Sequence, residues 1–362
     1  MFNLFMFCIF FILFISIYYL VRKIYKLKYL DKINNKFLRV LVSICLLLPL
    51  ALFFNFINLI VIYIHFIIFI GLTDLVFYFI NKNRSKKKKL LNYEKTFFIS
   101  VGLTAVYLSI GAFLAYNVWE TKYEVYTSKD LGTDRLRIAQ ISDSHIGATF
   151  DGKGLQKYVD RINKTNPDIV VITGDFVDDD TNKEQMIDAC TSLSNLKTKY
   201  GVYYVYGNHD LGYYDFRNFK KEDLLAELNK NNVNVLVDQV SEVTDHVYII
   251  GRDDKSHTRK EISELVDGLD TNKYMIDLNH QPNDYDNERK ANVDLVLSGH
   301  THGGQLLPLG FIGRLIIAND ATYGLKKIDN TTFIVNSGIS DWVIDFKTGT
   351  KSEYVIVDII HK

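Results

Sequence analysis

The sequence predicts an all-α membrane region followed by an α/β domain. Long apolar runs fill the first third of the 362-residue chain, and short β-branched runs alternate with helix-like segments after residue 120. Residues 1–120 contain 14 Lys and Arg against 4 Asp and Glu, a net charge of +10. The remaining 242 residues contain 28 against 38, a net charge of −10. The two parts are therefore expected to have different roles.

Composition excludes several classes of function. The chain has 3 cysteines, which are too few for a disulfide framework. It has no Cys-x-x-Cys motif, which excludes a thiol redox centre and a cysteine-zinc site. The acidic second part argues against a nucleic-acid-binding protein with a basic surface, so nucleic acid is not an expected partner.

Four apolar segments in residues 1–119 are predicted to cross a bilayer, for which a helix needs about 20 residues. The predicted spans are 2–21, 40–57, 59–80 and 96–119. The middle two form one apolar run, which we divide at Asn55 and Asn58 because a single helix would be about 60 Å long. The first run is not interpreted as a signal peptide, because no basic residue precedes it and no small-residue cleavage site follows.

Basic residues in the loops predict the orientation of these spans. Lys and Arg cluster in residues 22–39 and 82–95, whereas the turn around Asn55 has neither. Since basic loops resist translocation, both are predicted to be cytoplasmic, and everything after the fourth span is predicted to be extracytoplasmic. The protein is thus expected in the cell membrane as a multi-pass protein in contact with lipids. Asp74 and His65 lie inside the third span, and we interpret both as satisfied or snorkelling side chains.

Residues 120–135 are predicted to be a linker, and residues 136–362 a single α/β domain. The first half of this domain alternates strands with helices, and its later portion is rich in strands. This pattern indicates a layered sandwich rather than one doubly wound sheet.

Polar clusters directly follow five of the predicted strands. They are Asp143-Ser144-His145, Gly174 to Asp178, Gly207 to Asp210, Asn279 to Pro282, and Gly299 to Gly304. These clusters hold five of the nine histidines, and the carboxyl ends of strands are where sites form in open α/β sheets. Asp, Asn and His ligands without Cys suit Mn, Fe or Zn.

The order and spacing of D-S-H, G-D-F-V-D, G-N-H-D, the single His280 and G-H-T-H resemble the calcineurin-like metallophosphoesterase superfamily, over roughly Leu136 to Ile360. The resemblance implies a four-layer α/β/β/α sandwich with two divalent metal ions at its strand ends. It implies Asp143, His145 and His302 as ligands of the first metal ion. It implies Asn208, His280 and His300 as ligands of the second, with Asp175 bridging both.

In that family the residue at His209 is not a ligand. It contacts the phosphoryl group or the leaving group of the substrate, and Asp178 is placed to orient it. The extended G-H-T-H-G-G-Q form resembles a bacterial branch that is often membrane-anchored. Two such metal ions activate water near neutral pH and stabilise an in-line displacement at phosphorus, and a carboxylate-held His209 can protonate a departing alkoxide.

These features predict a metal-dependent phosphoric ester hydrolase that acts outside the cytoplasm. Its expected substrate is a phosphomonoester, phosphodiester or pyrophosphate, in a lipid-linked or cell-envelope molecule. Two alternatives remain open at this stage. The first is a nucleic-acid or nucleotide phosphodiesterase, which would favour a basic groove. The second is an inactive membrane receptor or scaffold, which metal-dependent turnover would exclude.

Overall fold

The computed structural model describes residues 2–82, 93–212, 217–307 and 319–362. The chain divides into two compact units, Met1–Gly111 and Ala112–Lys362. The boundary lies eight residues before the predicted end of the membrane region at Trp119.

The first unit is helical, as the sequence predicts. Its helices are α1 (Phe2–Tyr25), α2 (Lys36–Cys45), α3 (Phe56–Lys82) and α4 (Tyr93–Tyr116), of which the last turn belongs to the second unit. Within the described residues, α3 and α4 are long and apolar enough to cross a membrane, with mean hydropathies of 2.4 and 2.0. The prediction of four such spans is therefore confirmed for two.

The second predicted span, residues 40–57, is wrong as a continuous helix. α2 ends at Cys45, and a short 3₁₀ segment, Leu48–Leu52, follows it. Pro49 lies in this segment, and a proline ring clashes with the carbonyl of the residue four positions earlier in an α-helix. That residue is Cys45, where the helix stops.

Contacts at both ends show that α1 and α3 run parallel. Phe10 packs against Phe56 with ring centroids 5.0 Å apart, and Lys23 Nζ lies 2.6 Å from Asp74 Oδ2. The chain between them must therefore return from one end of the unit to the other, and α2 and the 3₁₀ segment make that return. Asp74, an ionisable residue in a predicted span, accordingly has a charged partner.

The described residues at the end of the second basic loop contact the first basic loop. The backbone N–H of Lys28, just after α1, donates to Glu94 Oε1 at the start of α4, at 2.9 Å. The second ionisable residue of the predicted span, His65, contacts the carbonyl of Val61 through Nδ1 at 2.7 Å. The lysines 86–89 of the second loop lie outside the described residues.

Over residues 112–212, 217–307 and 319–362, the second unit contains two six-stranded sheets. The first sheet has the order β1-β12-β2-β3-β4-β5, and the second has the order β10-β11-β9-β8-β7-β6. The strands are β1 (Val118–Thr127), β2 (Arg135–Ile141), β3 (Ile169–Thr173), β4 (Val202–Val205), β5 (Val233–Val235), β6 (Gln239–Thr244), β7 (Val247–Gly251), β8 (Tyr274–Leu278), β9 (Leu295–Ser298), β10 (Gly324–Ile328), β11 (Thr331–Val335) and β12 (Ser352–His361). The helices are α5 (Gly152–Asn163), α6 (Lys183–Leu193), α7 (Lys221–Lys230), α8 (Ile262–Val266) and α9 (Tyr285–Lys290).

Apolar cores separate the layers of this unit. Ile138 and Val171 of the first sheet pack with Ile249 of the second in a core between the sheets. Adjacent residues along the same strands, such as Ala139, point to the opposite face and pack against α5, α6 and α7. A further core lies between the second sheet and α8 and α9, with Tyr285 stacked on a sheet residue. These packed layers confirm the predicted α/β class.

Residues 120–127 of the predicted linker instead form most of β1. This strand pairs in parallel with β12 over its whole length, from Val118 opposite Ser352 onward. Its charged residues, such as Lys122, sit on an edge strand of the first sheet. Edge strands tolerate such charges. Because these charged residues interrupt any β-branched run, the strand was not predicted from the sequence. Only one residue, Asn117, separates the end of α4 from β1.

Candidate metal centre

The predicted site residues sit at matching positions after their strands. Asp143, Asp175, His280 and His300 each stand two residues after the end of β2, β3, β8 and β9, and Asn208 stands three residues after β4. β2, β3 and β4 are parallel in one sheet, and β8 and β9 are parallel in the other. The site therefore forms where the carboxyl ends of both sets of strands meet.

One group of potential ligands consists of Asp143, His145 and His302. Each offers a ligand atom within 4.8 Å of the other two, and all three residues are buried. The Nε2 atoms of His145 and His302 are 3.3 Å apart, and His302 Nε2 lies 3.7 Å from Asp143 Oδ1. This group could hold one metal ion.

A second group consists of Asp175, His280 and His300, again within 4.8 Å of one another. Nε2 of His280 lies 3.0 Å from Asp175 Oδ2 and 3.2 Å from Asn208 Oδ1. Asp175 Oδ2 is also 3.9 Å from His145 Nε2 of the first group. Asp175 thus stands between the two groups, at the position expected of a bridging ligand.

The carboxylates around these histidines fit a bound cation. Nδ1 of His145 faces Asp178 Oδ2 at 3.2 Å, and Nδ1 of His302 faces Asp341 Oδ1 at 3.3 Å. A carboxylate close to Nδ1 favours a proton on that nitrogen, which leaves Nε2 as the potential ligand atom. The two Nε2 atoms approach each other in a buried space, where one cation could bind both.

The same reasoning applies to the second group. Nδ1 of His280 lies 2.7 Å from the carbonyl of Thr173, so Nε2 is the ring nitrogen that faces the site. That atom faces oxygens of Asp175 and Asn208, both acceptors. A histidine nitrogen, a carboxylate oxygen and an amide oxygen that converge in this way could hold a cation, and such ligands suit Mn, Fe or Zn.

The backbone of the site is held in an unusual conformation. Asp143, His145, Asp175, His300 and His302 have φ between +37° and +70°. This left-handed region is costly for non-glycine residues, and such residues cluster at functional sites. Hydrogen bonds hold the conformation: the His300 N–H donates to Asp143 Oδ1 at 2.9 Å, and the His145 N–H donates to the Asp175 carbonyl at 3.0 Å.

Gly207 allows two site segments to approach closely. A Cβ at this position would overlap the Oδ1 and backbone N of Asp175. The absence of a side chain at Gly207 therefore lets the loop after β4 bring Asn208 against Asp175.

His209 lies beside the ligand groups rather than within them. Its backbone N–H donates to Asp175 Oδ1 at 2.8 Å, and its Nδ1 lies 2.9 Å from Asp178 Oδ1. Burial alone would lower the pKa of His209, but the hydrogen bond to Asp178 and the charge of Asp175 raise it to about 9. Burial likewise opposes ionisation of Asp178, whose pKa is nevertheless held far below its usual value by hydrogen bonds to His145 and His209. The imidazolium form of His209 is therefore favoured at neutral pH.

Electrostatic coupling is also strong between the second group and its neighbours. Burial opposes the charged form of Asp175, yet the charge and hydrogen bond of His280 lower its pKa well below the usual value. Burial and the neighbouring charge of His280 lower the pKa of His300 to about 4, which leaves a neutral ring able to bind a metal ion.

Three site residues were missed from the sequence. Asp210 ends the G-N-H-D motif and accepts N–H groups of Phe176, Val177 and Gly207 at 2.8 to 3.0 Å, which ties the loops after β3 and β4 together. Its position at the end of this motif could have identified it as a site residue from the sequence. Asp341 contacts His302 and also lies 3.2 Å from Nζ of Lys347, which is fully buried. Nothing in the local sequence indicates these two residues, because they lie far from His302 along the chain.

Comparisons with known proteins identify the family of this chain. A family profile described as calcineurin-like phosphoesterase matches residues 136–304. An uncharacterized metallophosphoesterase of Aquifex aeolicus is 33% identical over 223 residues, which cover 60% of this chain and 81% of the relative. The chain therefore belongs to the calcineurin-like metallophosphoesterase family.

Two further relatives differ in length from this chain. An uncharacterized metallophosphoesterase of Campylobacter jejuni is 31% identical over 231 residues, 62% of this chain and 59% of its own length. A transmembrane protein with metallophosphoesterase domain from Danio rerio is 30% identical over 240 residues, 63% of this chain and 53% of its own length. The match thus spans little more than half of these two relatives.

Proposed function

We propose that the protein is a membrane-anchored, dinuclear-metal phosphohydrolase that cleaves a phosphomonoester, phosphodiester or pyrophosphate bond. The observation that carries this proposal is the convergence of buried potential ligand atoms on two neighbouring points. Nε2 of His145 and of His302 meet at one point, and Nε2 of His280 meets Asp175 and Asn208 at the other.

The proposed ligands follow the two groups. Asp143, His145 and His302 would hold the first metal ion, and Asn208, His280 and His300 the second. Asp175 would bridge them, a role supported by the proximity of its Oδ2 to histidines of both groups.

Two bound divalent ions would supply an activated water molecule and stabilise negative charge on the phosphoryl oxygens. The chain supplies the proton for the leaving group. His209, held by Asp178, is favoured as imidazolium and is placed to protonate the departing oxygen. After the proton is transferred, the carboxylate of Asp178 would stabilise the neutral tautomer of His209 that keeps its proton on Nδ1. Nε2 would then be the nitrogen that faces the leaving group.

The chain anchors this site in the cell membrane through at least α3 and α4. The basic loops before α2 and between α3 and α4 favour the cytoplasmic side by the positive-inside rule. The contact between Lys28 and Glu94, which joins the ends of these loops, supports a common side for both. The phosphohydrolase domain, which follows α4, is then extracytoplasmic.

A lipid-linked or cell-envelope phosphoester is the proposed substrate. A single residue separates α4 from β1, so a short covalent link would hold the domain near the bilayer. Confinement at the surface favours a substrate that is confined there as well.

The test is metal-dependent turnover by the full-length protein in detergent. Wild-type protein loaded with Mn, Fe or Zn should hydrolyse bis(4-nitrophenyl) phosphate or 4-nitrophenyl phosphate, and chelation should abolish the activity. The Asp143→Asn variant should be inactive. Wild-type protein that binds two ions yet hydrolyses no phosphoester would favour the receptor or scaffold alternative.

A further inference from the structure

An exposed tryptophan lies against the proposed general acid. The ring centroids of Trp342 and His209 are 5.5 Å apart, and 41% of Trp342 is exposed. A large aromatic ring that remains this exposed beside a reaction site offers an apolar surface to part of the substrate.

The position of Trp342 is fixed by the residue before it. Asp341 lies against His302 Nδ1 at 3.3 Å and against Lys347 Nζ at 3.2 Å. Lys347 Nζ, fully buried, also donates to the carbonyl of Ser337 at 2.6 Å. Because these contacts anchor the loop from inside, Trp342 is held beside the candidate metal centre.

The other end of this loop contacts the last turn of α4. The hydroxyl of Tyr116 donates to Asp345 Oδ1 at 3.0 Å. Close by, the hydroxyl of Ser352 donates to the carbonyl of Ala115 at 2.6 Å. The segment 341–345, which we call the access strip, therefore runs from the metal ligand His302 to the end of a candidate membrane span.

The access strip is apolar between its two carboxylates. Its sequence is Asp-Trp-Val-Ile-Asp, and it lines a cleft together with Ala115, Tyr116, Ala148 and Thr149. Five residues extend over at most about 17 Å, so the end of α4 and the candidate metal centre lie within that distance along the strip. The access strip therefore joins the end of α4 to the candidate metal centre.

We propose that the access strip binds the hydrocarbon part of an amphiphilic phosphoester, with Trp342 in contact with the chain next to the phosphoryl group. This inference rests on the proposed function and narrows its substrate to molecules whose leaving group carries an alkyl chain. A nucleoside leaving group would stack its planar base on the Trp342 ring and leave the rest of the strip uncovered.

Fluorescence can test this contact without turnover, because the chain has only two tryptophans. The Trp119→Phe variant of the full-length protein leaves Trp342 as the reporter, and Trp342→Phe leaves Trp119 as the matched control. In detergent, a hexadecylphosphonate brominated along its chain should quench Trp342 in a saturable manner and more strongly than brominated hexadecanol. Trp119 should respond equally to both compounds. Equal quenching of Trp342 by both compounds, or none by either, would overturn the proposal.

Kinetics provide a second readout. The ratio of kcat/KM for hexadecyl phosphate to that for butyl phosphate should fall roughly tenfold in Trp342→Ala, the usual scale for losing apolar contacts of this size, and less in Trp342→Phe. Trp119→Ala should leave this ratio unchanged. An unaltered ratio in Trp342→Ala would refute the role of the strip. If brominated hexadecylphosphonate quenches Trp342 specifically and no phosphoester is hydrolysed, the proposed function fails while the binding site stands.

Discussion

The Nε2 atoms of His145 and His302 lie 3.3 Å apart, and each ring turns its Nδ1 toward a different carboxylate. Those carboxylates, Asp178 and Asp341, belong to loops from different sheets. Partners of this kind fix the tautomer and orientation of metal-binding histidines. The two histidines are thus arranged so that one metal ion could bind both.

Asp178 should matter for metal binding as well as for proton transfer. It contacts Nδ1 of both His145 and His209. Asp178→Asn is expected to weaken metal affinity by roughly 10–100-fold, the usual effect of removing a carboxylate behind a histidine ligand. Calorimetric metal titration measures this. Asp180→Asn, at an exposed position two residues away, should bind metal like the wild type. Equal affinity in the Asp178 and Asp180 variants would show that Asp178 does not support His145.

The role of His209 predicts a dependence on the leaving group. His209→Ala should retain both metal ions and lower turnover of an alkyl ester by roughly 10²–10⁴-fold, the usual size of general-acid catalysis. The loss should be smaller for 4-nitrophenyl esters, whose leaving group needs little protonation. Steady-state rates on the two substrate types measure the difference. An unchanged rate on the alkyl ester would reject His209 as the acid.

The orientation of the membrane region predicts which residues an impermeant thiol reagent can reach. In a background without Cys8, Cys45 and Cys190, Ser128→Cys should be labelled in intact cells because Ser128 follows β1 on the proposed extracytoplasmic side. Lys32→Cys, in the first basic loop, should react only after the cells are permeabilised. Labelling of Lys32→Cys alone would invert the topology, and an extracytoplasmic substrate would then be untenable.

The ion pair between Arg137 and Asp358 predicts a pH-dependent contribution to stability. Arg137 Nε and Asp358 Oδ1 lie 2.7 Å apart, and the hydrogen bond lowers the pKa of Asp358. Because the pKa of Asp358 is lowered in the folded state, its carboxylate stabilises the fold at pH values above the unfolded pKa of about 3.9. This stabilisation is lost as the pH falls through the pKa of the folded state.

Asp358→Asn should therefore lower Tm at pH 7 by about 2–4 °C, which corresponds to about 1 kcal/mol. The difference from wild type should shrink as the pH falls below about 4. Thermal unfolding in detergent from pH 3 to pH 7 measures it. Lys230→Met, which removes an exposed i,i+3 pair with Glu227, should change Tm little. A difference that grows toward low pH would contradict the assignment.

Much of the site could be predicted because its residues follow strands directly. Asp143, Asp175 and His280 occupy equivalent positions after β2, β3 and β8, and local sequence specifies both the strand and the turn. Asp341 and Lys347 could not be predicted, because only the folding of a distant loop brings them to His302.

The errors in the membrane region have a different cause. Composition alone made residues 40–57 look like a span, but a proline interrupts the backbone hydrogen bonds locally. Conversely, the alternating charged residues of β1 led to the prediction of a linker. The sequence does not show that β12 pairs with this segment and makes it an edge strand. Hydropathy predicts that a segment is buried in lipid or in protein, but it does not predict the backbone conformation of that segment.

The most direct test of the central claim is metal content and turnover in Asp175→Asn. Asp175 stands between both ligand groups, 3.0 Å from His280 and 3.9 Å from His145. Elemental analysis of purified wild-type protein should find two metal ions per chain. The variant should lose both ions or nearly all phosphoesterase activity, because an amide lacks the negative charge that holds two cations close together. Two bound ions together with wild-type turnover in Asp175→Asn would contradict the dinuclear site.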